Sequence, residues 1–326
     1  MDRRTSTLAL ITALCAIALS PATALAQTYP NKPIKLILPF AIGGATDLYA
    51  RTLGAALSVE LGQPIVVEAR PGVGGLTGVD VLAKSPPDGY TLCLAGVAAL
   101  SAIPFMVTKM PFDWQKDLAL ISLVVRVPEV AVVNQTIAAN SLPEFVAYAR
   151  ANPGKINFGS AGAGSVTHLG VELLKTEAKI DLVHVPYRGA GPAITDMLGN
   201  HIQLLVSDAP VVAPYVRSGK LKALAITSDA RSSALPEVPT TGEAGYPRVN
   251  SDNWYGLVAP AGTPHDVLDR LQKATVAVLR SPELKRQFDN LGAVSIPSTP
   301  DEFSAYIKSE QAKWGPLVAA TGVKLE

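Results

Sequence analysis

Glycine and hydroxyl residues cluster at three places where an apolar segment passes into a helical pattern. The three stretches are AIGGATD (41–47), RPGVGGLTG (70–78) and FGSAGAGSVTH (158–168). Glycine lets a backbone approach a ligand closely, and a helix start offers unpaired N–H groups with a partial positive charge. Such a turn holds a carboxylate or a phosphate without lysine or arginine. The alternative is that the glycines only permit a tight turn between strand and helix.

None of the three turns has a nucleotide-binding spacing. The pattern G-x-x-x-x-G-K-[ST] is absent, and Thr77 and Thr167 stand where a dinucleotide-binding G-x-G-x-x-G turn has its third small residue. Turns 41–47 and 158–168 are rich in hydroxyls as well as glycines, which favours a bound ligand. Turn 70–78 is interpreted as structural.

Residues with the chemistry for catalysis or metal binding are sparse. Ser160 does not fit a nucleophile elbow, because Phe158 stands where G-x-S-x-G needs glycine. The four histidines show no metal-ligand spacing. We therefore expect no metal, no cofactor and no enzyme. An exported hydrolase that uses Ser160 or Ser165 with His168 is kept as a remote alternative.

Three polar residues beside the turns have both a structural and a functional interpretation. Asp47 is either a helix-start charge or a ligand contact, and His168 is either a core histidine or a cleft contact. Asp208 follows the apolar run IQLLVS, at a strand end. An acid there organises loops, or it pairs with a ligand amine.

The first 26 residues are organised as an export signal. Arg3 and Arg4 precede an apolar stretch that ends in the A-x-A cleavage site Ala24-Leu25-Ala26. We expect cleavage after Ala26 and a periplasmic location. Leu14 stands where a lipobox before Cys15 needs a small residue, so no lipid attachment is expected.

Charge and cysteine content narrow the class of protein further. Without the three charged residues of the signal segment, the 28 basic and 27 acidic residues become 26 and 26. A net charge of zero argues against a nucleic-acid partner. Cys93, alone in the mature chain, forms no internal disulfide, and the apolar run YTLCLAG predicts that it is a buried strand thiol.

Apolar runs of strand length alternate with helical patterns along the chain, which predicts a parallel, doubly wound α/β sheet. The runs IKLILPF (34–40) and PIVVEAR (64–70) are examples. Gly62 is positioned to end the first helix. Ser141 and Glu144 have the spacing of a capping box.

The mature length predicts two domains, because about 300 residues exceed a comfortable single core. Pro128 divides the run ALISLVVRVPEVAVVN into two strands, and we interpret them as passing from one domain to the other. If the C-terminal helices return to the first half, domain 1 comprises 27–127 with 253–326. Domain 2 is then 128–252.

Ordered blocks from about residue 29 to the C-terminus resemble the Bug-type family, the extracytoplasmic solute receptors of tripartite tricarboxylate transporters. The blocks are YPNKPIKLILPFAIGGATDLYAR, VVEARPGVGG, AKSPPDGYTL, FGSAGAGSVTHL, HVPYRGAGPAITDMLGN, GKLKALAIT, RSSALPEVPTTGEAG and WYGLVAPAGTP.

The resemblance implies a type II periplasmic binding protein of the Venus-flytrap kind, with two doubly wound α/β domains joined by crossing strands. It implies a small organic carboxylate as ligand, the membrane permease subunits of the transporter as partners, and a monomeric receptor without catalysis. A sensor that reports ligand occupancy to a membrane signalling partner is an alternative with the same cleft.

The resemblance also implies which residues meet the ligand. Arg188 has two interpretations, a cation that steers anions or a member of an ion pair. The apolar positions 97–99, if they face the ligand, favour a partly apolar acid. The implied contacts are Phe40, Ala41, Gly43, Gly44, Ala45, Thr46, Asp47, Ala98, Ser160, Ala161, Gly162, Gly164, Ser165, His168, Tyr187 and Asp208.

Overall fold

A computed structural model describes residues 29–325. The export signal and Cys15 lie outside the described residues. Eleven strands are present within 29–325. They are β1 (Ile34–Leu38), β2 (Ile65–Ala69), β3 (Thr91–Gly96), β4 (Leu118–Val127), β5 (Glu129–Asn134), β6 (Asn157–Ser160), β7 (Val183–Pro186), β8 (Leu204–Asp208), β9 (Leu221–Ile226), β10 (Asn253–Pro260) and β11 (Val294–Ser295).

Ten α-helices connect these strands over the same range. A π-helical turn at Ala98–Ala102 and two 3₁₀ turns, Val73–Gly75 and Ile103–Phe105, supplement them. The helices are α1 (Ala45–Leu61), α2 (Leu76–Ala83), α3 (Trp114–Asp117), α4 (Leu142–Ala151), α5 (Val166–Ala178), α6 (Ala190–Leu198), α7 (Ala209–Arg217), α8 (His265–Arg280), α9 (Pro282–Asn290) and α10 (Pro300–Thr321).

The strands form two sheets, each with helices on both faces. The first sheet has the order β11-β4-β10-β3-β1-β2 and the second has the order β7-β6-β8-β5-β9. Helices α1, α8 and α9 pack on one face of the first sheet, and α2 and α10 pack on the other. On the second sheet, α4 and α5 lie opposite α6 and α7. The α/β fold class is therefore confirmed.

Both sheets are mixed rather than fully parallel, which differs from the sequence prediction. Strand β10 runs antiparallel to β3 and β4, and β5 runs antiparallel to β8 and β9. Each of these strands enters its sheet directly after a passage from the other sheet, so its direction is set by the crossing rather than by a right-handed βαβ connection.

The passages between the sheets are short. Strand β4 of the first sheet is separated from β5 of the second only by Pro128. The chain returns to the first sheet at Asn253, where β10 begins. The predicted domain boundaries fall at these two passages.

The helix ends show which local predictions held. Gly62 ends α1 in the left-handed conformation, with φ 68°. Ser141 caps α4 by accepting from the Glu144 amide, but the Glu144 carboxylate accepts from the Asn140 amide. The capping box predicted at Ser141 is therefore wrong, because Glu144 closes on the residue before the cap.

Cys93 lies in β3 and is fully buried, as the apolar run predicted. Burial raises the pKa of its thiol, so the thiolate needed for reactivity is disfavoured. Within residues 29–325, no helix combines the length and the apolar character needed to cross a bilayer.

Candidate functional site

Two adjoining cavities open between the segments of the two sheets. The inner cleft has a volume of about 690 Å³, counting its open mouth, and the outer cleft measures about 1350 Å³ on the same basis. Residues that border both are Phe40, Ala41, Ala161, Arg188 and Gly189. The first-sheet side and the second-sheet side therefore face each other across one continuous groove.

The first glycine turn lies between β1 and α1. Gly44 caps α1 without any side-chain hydrogen bond, and within residues 29–325 no group accepts from the amides of Ala45 and Thr46. Both residues border the inner cleft. The start of α1 therefore presents unpaired N–H groups and partial positive charge to the cleft.

The turn itself is held from behind by Asp47. The Gly43 amide donates to Asp47 Oδ2 over 3.1 Å, and Arg51 Nε lies 2.8 Å from Asp47 Oδ1. Neither Gly43 nor Asp47 is among the residues that border the two cavities. The geometry thus favours the structural interpretation of Asp47, as a helix-start charge, over ligand contact.

The second glycine turn lies between β6 and α5 and is tied by hydroxyls. The Ala161 amide donates to Thr167 Oγ1 over 2.8 Å, and Ser165 Oγ donates to the Gly162 carbonyl over 2.6 Å. Ser165 Oγ also caps α5 by accepting from the His168 amide. The amides of Val166 and Thr167 have no acceptor within residues 29–325, so this helix start also offers donors to the cleft.

His168 lies behind this turn rather than in the cleft. Its Nδ1 accepts from the Gly164 amide over 3.2 Å, and its ring stacks on His184 with centroids 3.8 Å apart. Burial, then the neighbouring His184 and Lys175, lowers the pKa of His168 to about 3. A histidine kept neutral in this way holds the turn as a hydrogen-bond acceptor.

The hydrolase alternative finds no support in this arrangement. Ser160 Oγ lies 2.7 Å from Nε2 of His184, not of His168. No carboxylate within residues 29–325 hydrogen-bonds to the ring of His184, and the pKa of His184 is lowered to about 4 by burial and then by Lys175. A nucleophile needs a base that is in turn oriented by a third group, and that group is missing from the described residues.

A third helix start, which the sequence analysis did not identify as a site, completes the cleft. Gly189, with φ 125°, caps α6 without a side-chain bond. A Cβ at Gly189 would lie 3.8 Å from Ala41 Cβ, so this turn stands close to the first one. Arg188 is exposed at the shared mouth, and no carboxylate within residues 29–325 pairs with it.

The floor of the inner cleft is a buried polar chain that links the two sheets. Asn253 Nδ2 donates to Asp208 Oδ1 over 3.1 Å and to the Tyr255 hydroxyl over 2.7 Å. Thr46 Oγ1 donates to the same hydroxyl over 2.8 Å. Burial raises the pKa of Asp208 to about 7. The floor therefore connects strand β8, strand β10 and the start of α1.

The predicted contacts divide into three groups. Nine border the inner cleft: Phe40, Ala41, Gly44, Ala45, Thr46, Ala98, Ala161, Ser165 and Asp208. Two border the outer cleft, Gly162 and Tyr187. The remaining five lie behind the wall and hold the turns: Gly43, Asp47, Ser160, Gly164 and His168.

Sequence reasoning missed several residues that line the inner cleft. Asn253 and Tyr255 are absent from the predicted contacts, although two polar residues at i and i+2 of a strand share one face. That spacing was the available signal. Ser207 and Gly189–Pro192 carried no comparable signal.

Of the apolar positions 97–99, Val97 and Ala98 border the inner cleft and Ala99 does not. The turn 70–78, interpreted as structural, borders the outer cleft through Pro71–Gly75. No group of three or more metal-ligating side chains occurs in the described part of the chain.

Comparison with known proteins places the chain among solute receptors. Residues 49–323 match the family model described as the tripartite tricarboxylate transporter family receptor, TctC. Protein BugT of Bordetella pertussis is 39% identical over 304 residues, which cover 92% of this chain and 93% of that protein.

Solved structures show the same similarity in three dimensions. Rpa4515 of R. palustris, determined with adipate, is 29% identical with a TM-score of 0.87, covering 90% of this chain and 98% of that chain. MatC from Rhodopseudomonas palustris, determined with bound malate, is 30% identical with a TM-score of 0.83, covering 89% and 100%.

Proposed function

The chain belongs to the tripartite tricarboxylate transporter receptor family, and from that premise we propose that it captures one small organic carboxylate in the inner cleft for delivery to the membrane permease. Members of this family are solute-binding receptors of the periplasm and not enzymes. The identity of the carboxylate and the residues that hold it are part of the proposal.

One observation carries this proposal: helix starts from both sides of the groove open into the same cavity. Ala45 and Thr46 offer free amides from the first-sheet side, and Val166 and Thr167 offer them from the second-sheet side. Neutral amides at helix starts hold an anion at a lower desolvation cost than a buried lysine would bring. No lysine borders the inner cleft in the described part of the chain.

Relatives of similar fold support a carboxylate as the ligand class. The two solved structures above were determined with adipate and with malate, both small organic acids. On this proposal the contacts here are Phe40, Ala41, Gly44, Ala45, Thr46, Ala98, Ala161, Ser165 and Asp208, with Gly162 and Tyr187 at the outer edge and the five residues behind the wall in a supporting role.

The mechanism is capture by closure. A carboxylate that accepts from amides on both sides stabilises the arrangement in which the two sides are close, and it shifts the equilibrium only by its preference for that arrangement. The proposal takes 27–127 with 253–326 and 128–252 as the two bodies that move. The short passages at Pro128 and Asn253 are the proposed hinges.

The proposal extends to how the protein reaches its place of work. Residues 1–26 serve as a signal segment that is cleaved after Ala26, and the mature receptor acts as a monomer. Its closed form is recognised by the permease subunits, which release the ligand into the transport path.

The experiment is a titration of the mature receptor, residues 27–326, with a panel of small organic acids by calorimetry and thermal shift. Ala190→Asp places a carboxylate at the start of α6, inside the cleft. It should weaken binding at least tenfold by like-charge repulsion, on the order of 1.4 kcal/mol or more. His265→Asp is the control, because it introduces a carboxylate at the same position of a helix, the first residue of α8, outside the cleft. A wild-type protein that no organic acid stabilises would overturn the proposal.

A further inference from the structure

We propose that Ser207 and Asp208, at the floor of the inner cleft, form a second subsite that binds the far end of the ligand. This subsite selects a hydroxyl or an ammonium group there rather than a second carboxylate. This inference rests on the proposed function, since it assumes that the helix starts hold the first carboxylate. It names the ligand as an acid with a hydrogen-bond donor at its distal end.

Ser207 supplies the first observation. The residue is 1% exposed and is among those that border the inner cleft. Its Oγ is buried and has no hydrogen-bond partner within residues 29–325. A buried hydroxyl without a partner costs free energy, and a polar ligand group that enters the cleft supplies the missing bond.

Asp208 supplies the second observation. It stands at the N-cap of α7 but makes no capping bond with its side chain. Its carboxylate accepts one hydrogen bond from a side chain, from Asn253 to Oδ1. A carboxylate can accept hydrogen bonds from several donors. Oδ2 is therefore available to a donor in the cleft that Asp208 borders.

No cation compensates Asp208. Within residues 29–325, no lysine, arginine or histidine lies within ion-pair distance of its carboxylate. The cation that borders the inner cleft is Arg188, which is exposed at the mouth. A buried carboxylate without a counter-ion attracts donors and cations, and it repels a second carboxylate.

The neighbours of Asp208 fix the orientation of its carboxylate but do not use all of its hydrogen-bonding capacity. Both hydrogens of the Asn253 amide are used, one by Asp208 Oδ1 and one by the Tyr255 hydroxyl. Asn253 therefore orients the carboxylate and leaves its second oxygen open. The polar chain through Tyr255 to Thr46 fixes this orientation from the first-sheet side.

The walls between the helix starts and the floor are apolar. Val97 and Ala98 are almost fully buried and border the cleft beside the ring of Tyr255. A charged group midway along the ligand would lose its hydration without a partner. The ligand class is therefore a carboxylate, an apolar middle and a donor at the far end.

The protonation of Asp208 sharpens the test. Burial raises its pKa to about 7. The titratable groups that face it are Glu129 on β5, Tyr49 on α1 and Tyr255 on β10, and their pKa values are also raised, in each case first by burial and then by Asp208. A distal donor binds the ionised form, whereas a distal carboxylate needs the protonated form.

The experiment compares four acids that differ only at the far end: 4-hydroxybutyrate, 4-aminobutyrate, butyrate and succinate, with their five-carbon counterparts. At pH 8, we expect at least one distal-donor acid to bind tenfold or more tightly than the unsubstituted acid and than the diacid of the same length. Between pH 6 and pH 8 its affinity should rise roughly fivefold to tenfold, because the competent ionised fraction of Asp208 rises. Succinate or glutarate should show the opposite trend.

Two variants and a control assign the effect to the floor. Asp208→Asn should remove the donor preference and the pH trend while the first carboxylate still binds, and Ser207→Ala should weaken the donor acids a few-fold. Asp289→Asn makes the same chemical change at an exposed position of α9 and should change nothing.

The two proposals fail in different ways. If the diacid binds best at pH 8, or if Asp208→Asn leaves the ranking of the acids unchanged, the subsite is wrong and carboxylate capture stands. If none of the acids, including the unsubstituted ones and the diacids, binds the wild-type receptor, carboxylate capture falls and the subsite falls with it.

Discussion

The two glycine turns that face each other across the inner cleft are built in opposite ways. The turn at 158–168 is tied by its own hydroxyls, with Ser160, Ser165 and Thr167 all bonded inside the turn. The turn at 41–47 has one internal side-chain tie, from the Gly43 amide to Asp47. Its hydroxyl residue, Thr46, bonds outward to Tyr255 instead.

The difference shows that one sequence pattern serves two purposes. The turn at 158–168 is a preorganised wall, whose free amides are fixed before a ligand arrives and so cost little to order. The turn at 41–47 is a connector, because its Thr46 belongs to the polar floor that reaches Asp208 on the other side. Removing a hydrogen bond within the 158–168 turn should therefore lower the stability of the protein. Removing one from the 41–47 turn should change the polar chain at the floor of the cleft.

The largest effect is expected from a matched pair of threonine substitutions. Thr167 and Thr46 are equally buried, 5% and 4% exposed, and valine replaces either with little change of shape. Thr167→Val removes the acceptor of the Ala161 amide and the partner of Ser165 Oγ, so it should lower the free energy of unfolding by about 2–3 kcal/mol. Thr46→Val leaves Tyr255 bonded to Asn253 and should cost about 1 kcal/mol.

Urea denaturation of the ligand-free protein measures both values. Equal losses for the two variants would mean that the turns are fixed to the same degree, and the contrast between wall and connector would be lost.

A second prediction concerns pH and applies to the 158–168 turn alone, since the 41–47 turn contains no histidine. The pKa of His168 is about 3 in the folded protein against about 6.5 in an unfolded chain. The unfolded state therefore binds more protons between these values, and the contribution of His168 to stability is complete above pH 6.5 and is lost as the pH falls. At pH 5 the loss is about 2 kcal/mol.

His168→Asn isolates this contribution, because the asparagine carbonyl can accept from the Gly164 amide and does not titrate. The stability of the wild type relative to His168→Asn should fall by about 2 kcal/mol between pH 7 and pH 5. Measuring the difference is necessary, since the raised pKa values of Asp208 and Asp252 act in the opposite direction over this range. A difference that does not vary with pH would show that His168 is accessible to protons in the folded state.

The sequence predicted the elements of the fold well where local pattern decides them. Continuous apolar runs marked the strands, and Pro128 marked the passage between sheets. It did not predict α7, because two prolines lower the helical propensity of that segment. Pro210 stands in the first turn, where proline is tolerated, and Pro214 lies inside the helix. Strand direction also escaped prediction, because it depends on which sheet a strand enters.

The candidate site divides along the same line. Glycines and hydroxyls beside apolar runs pointed to both turns, because the signal is local. The hydrogen bond between Asn253 and Asp208 joins residues 45 positions apart. A local sequence pattern cannot predict such a pairing, because it depends on how the two sheets meet. The sequence left His168 open between a core histidine and a cleft contact, and the histidine on which its ring stacks lies on a different strand.

The smallest effect is expected at the mouth of the cleft, and it separates the two interpretations of Arg188. An exposed arginine without a described carboxylate partner should contribute little to folding, so Arg188→Gln should leave the unfolding midpoint unchanged. It borders both cavities, and a rim charge acts mainly on the rate of association. We expect the association rate for an organic acid to fall about twofold to fivefold at low salt and the difference to shrink as salt is raised.

Arg286→Gln, a change of an exposed arginine on α9 that is paired with Glu283, is the control for non-specific charge. Stopped-flow binding measures the rates, and a salt-independent fall in the association rate for Arg188→Gln would show that Arg188 does not act as a steering charge.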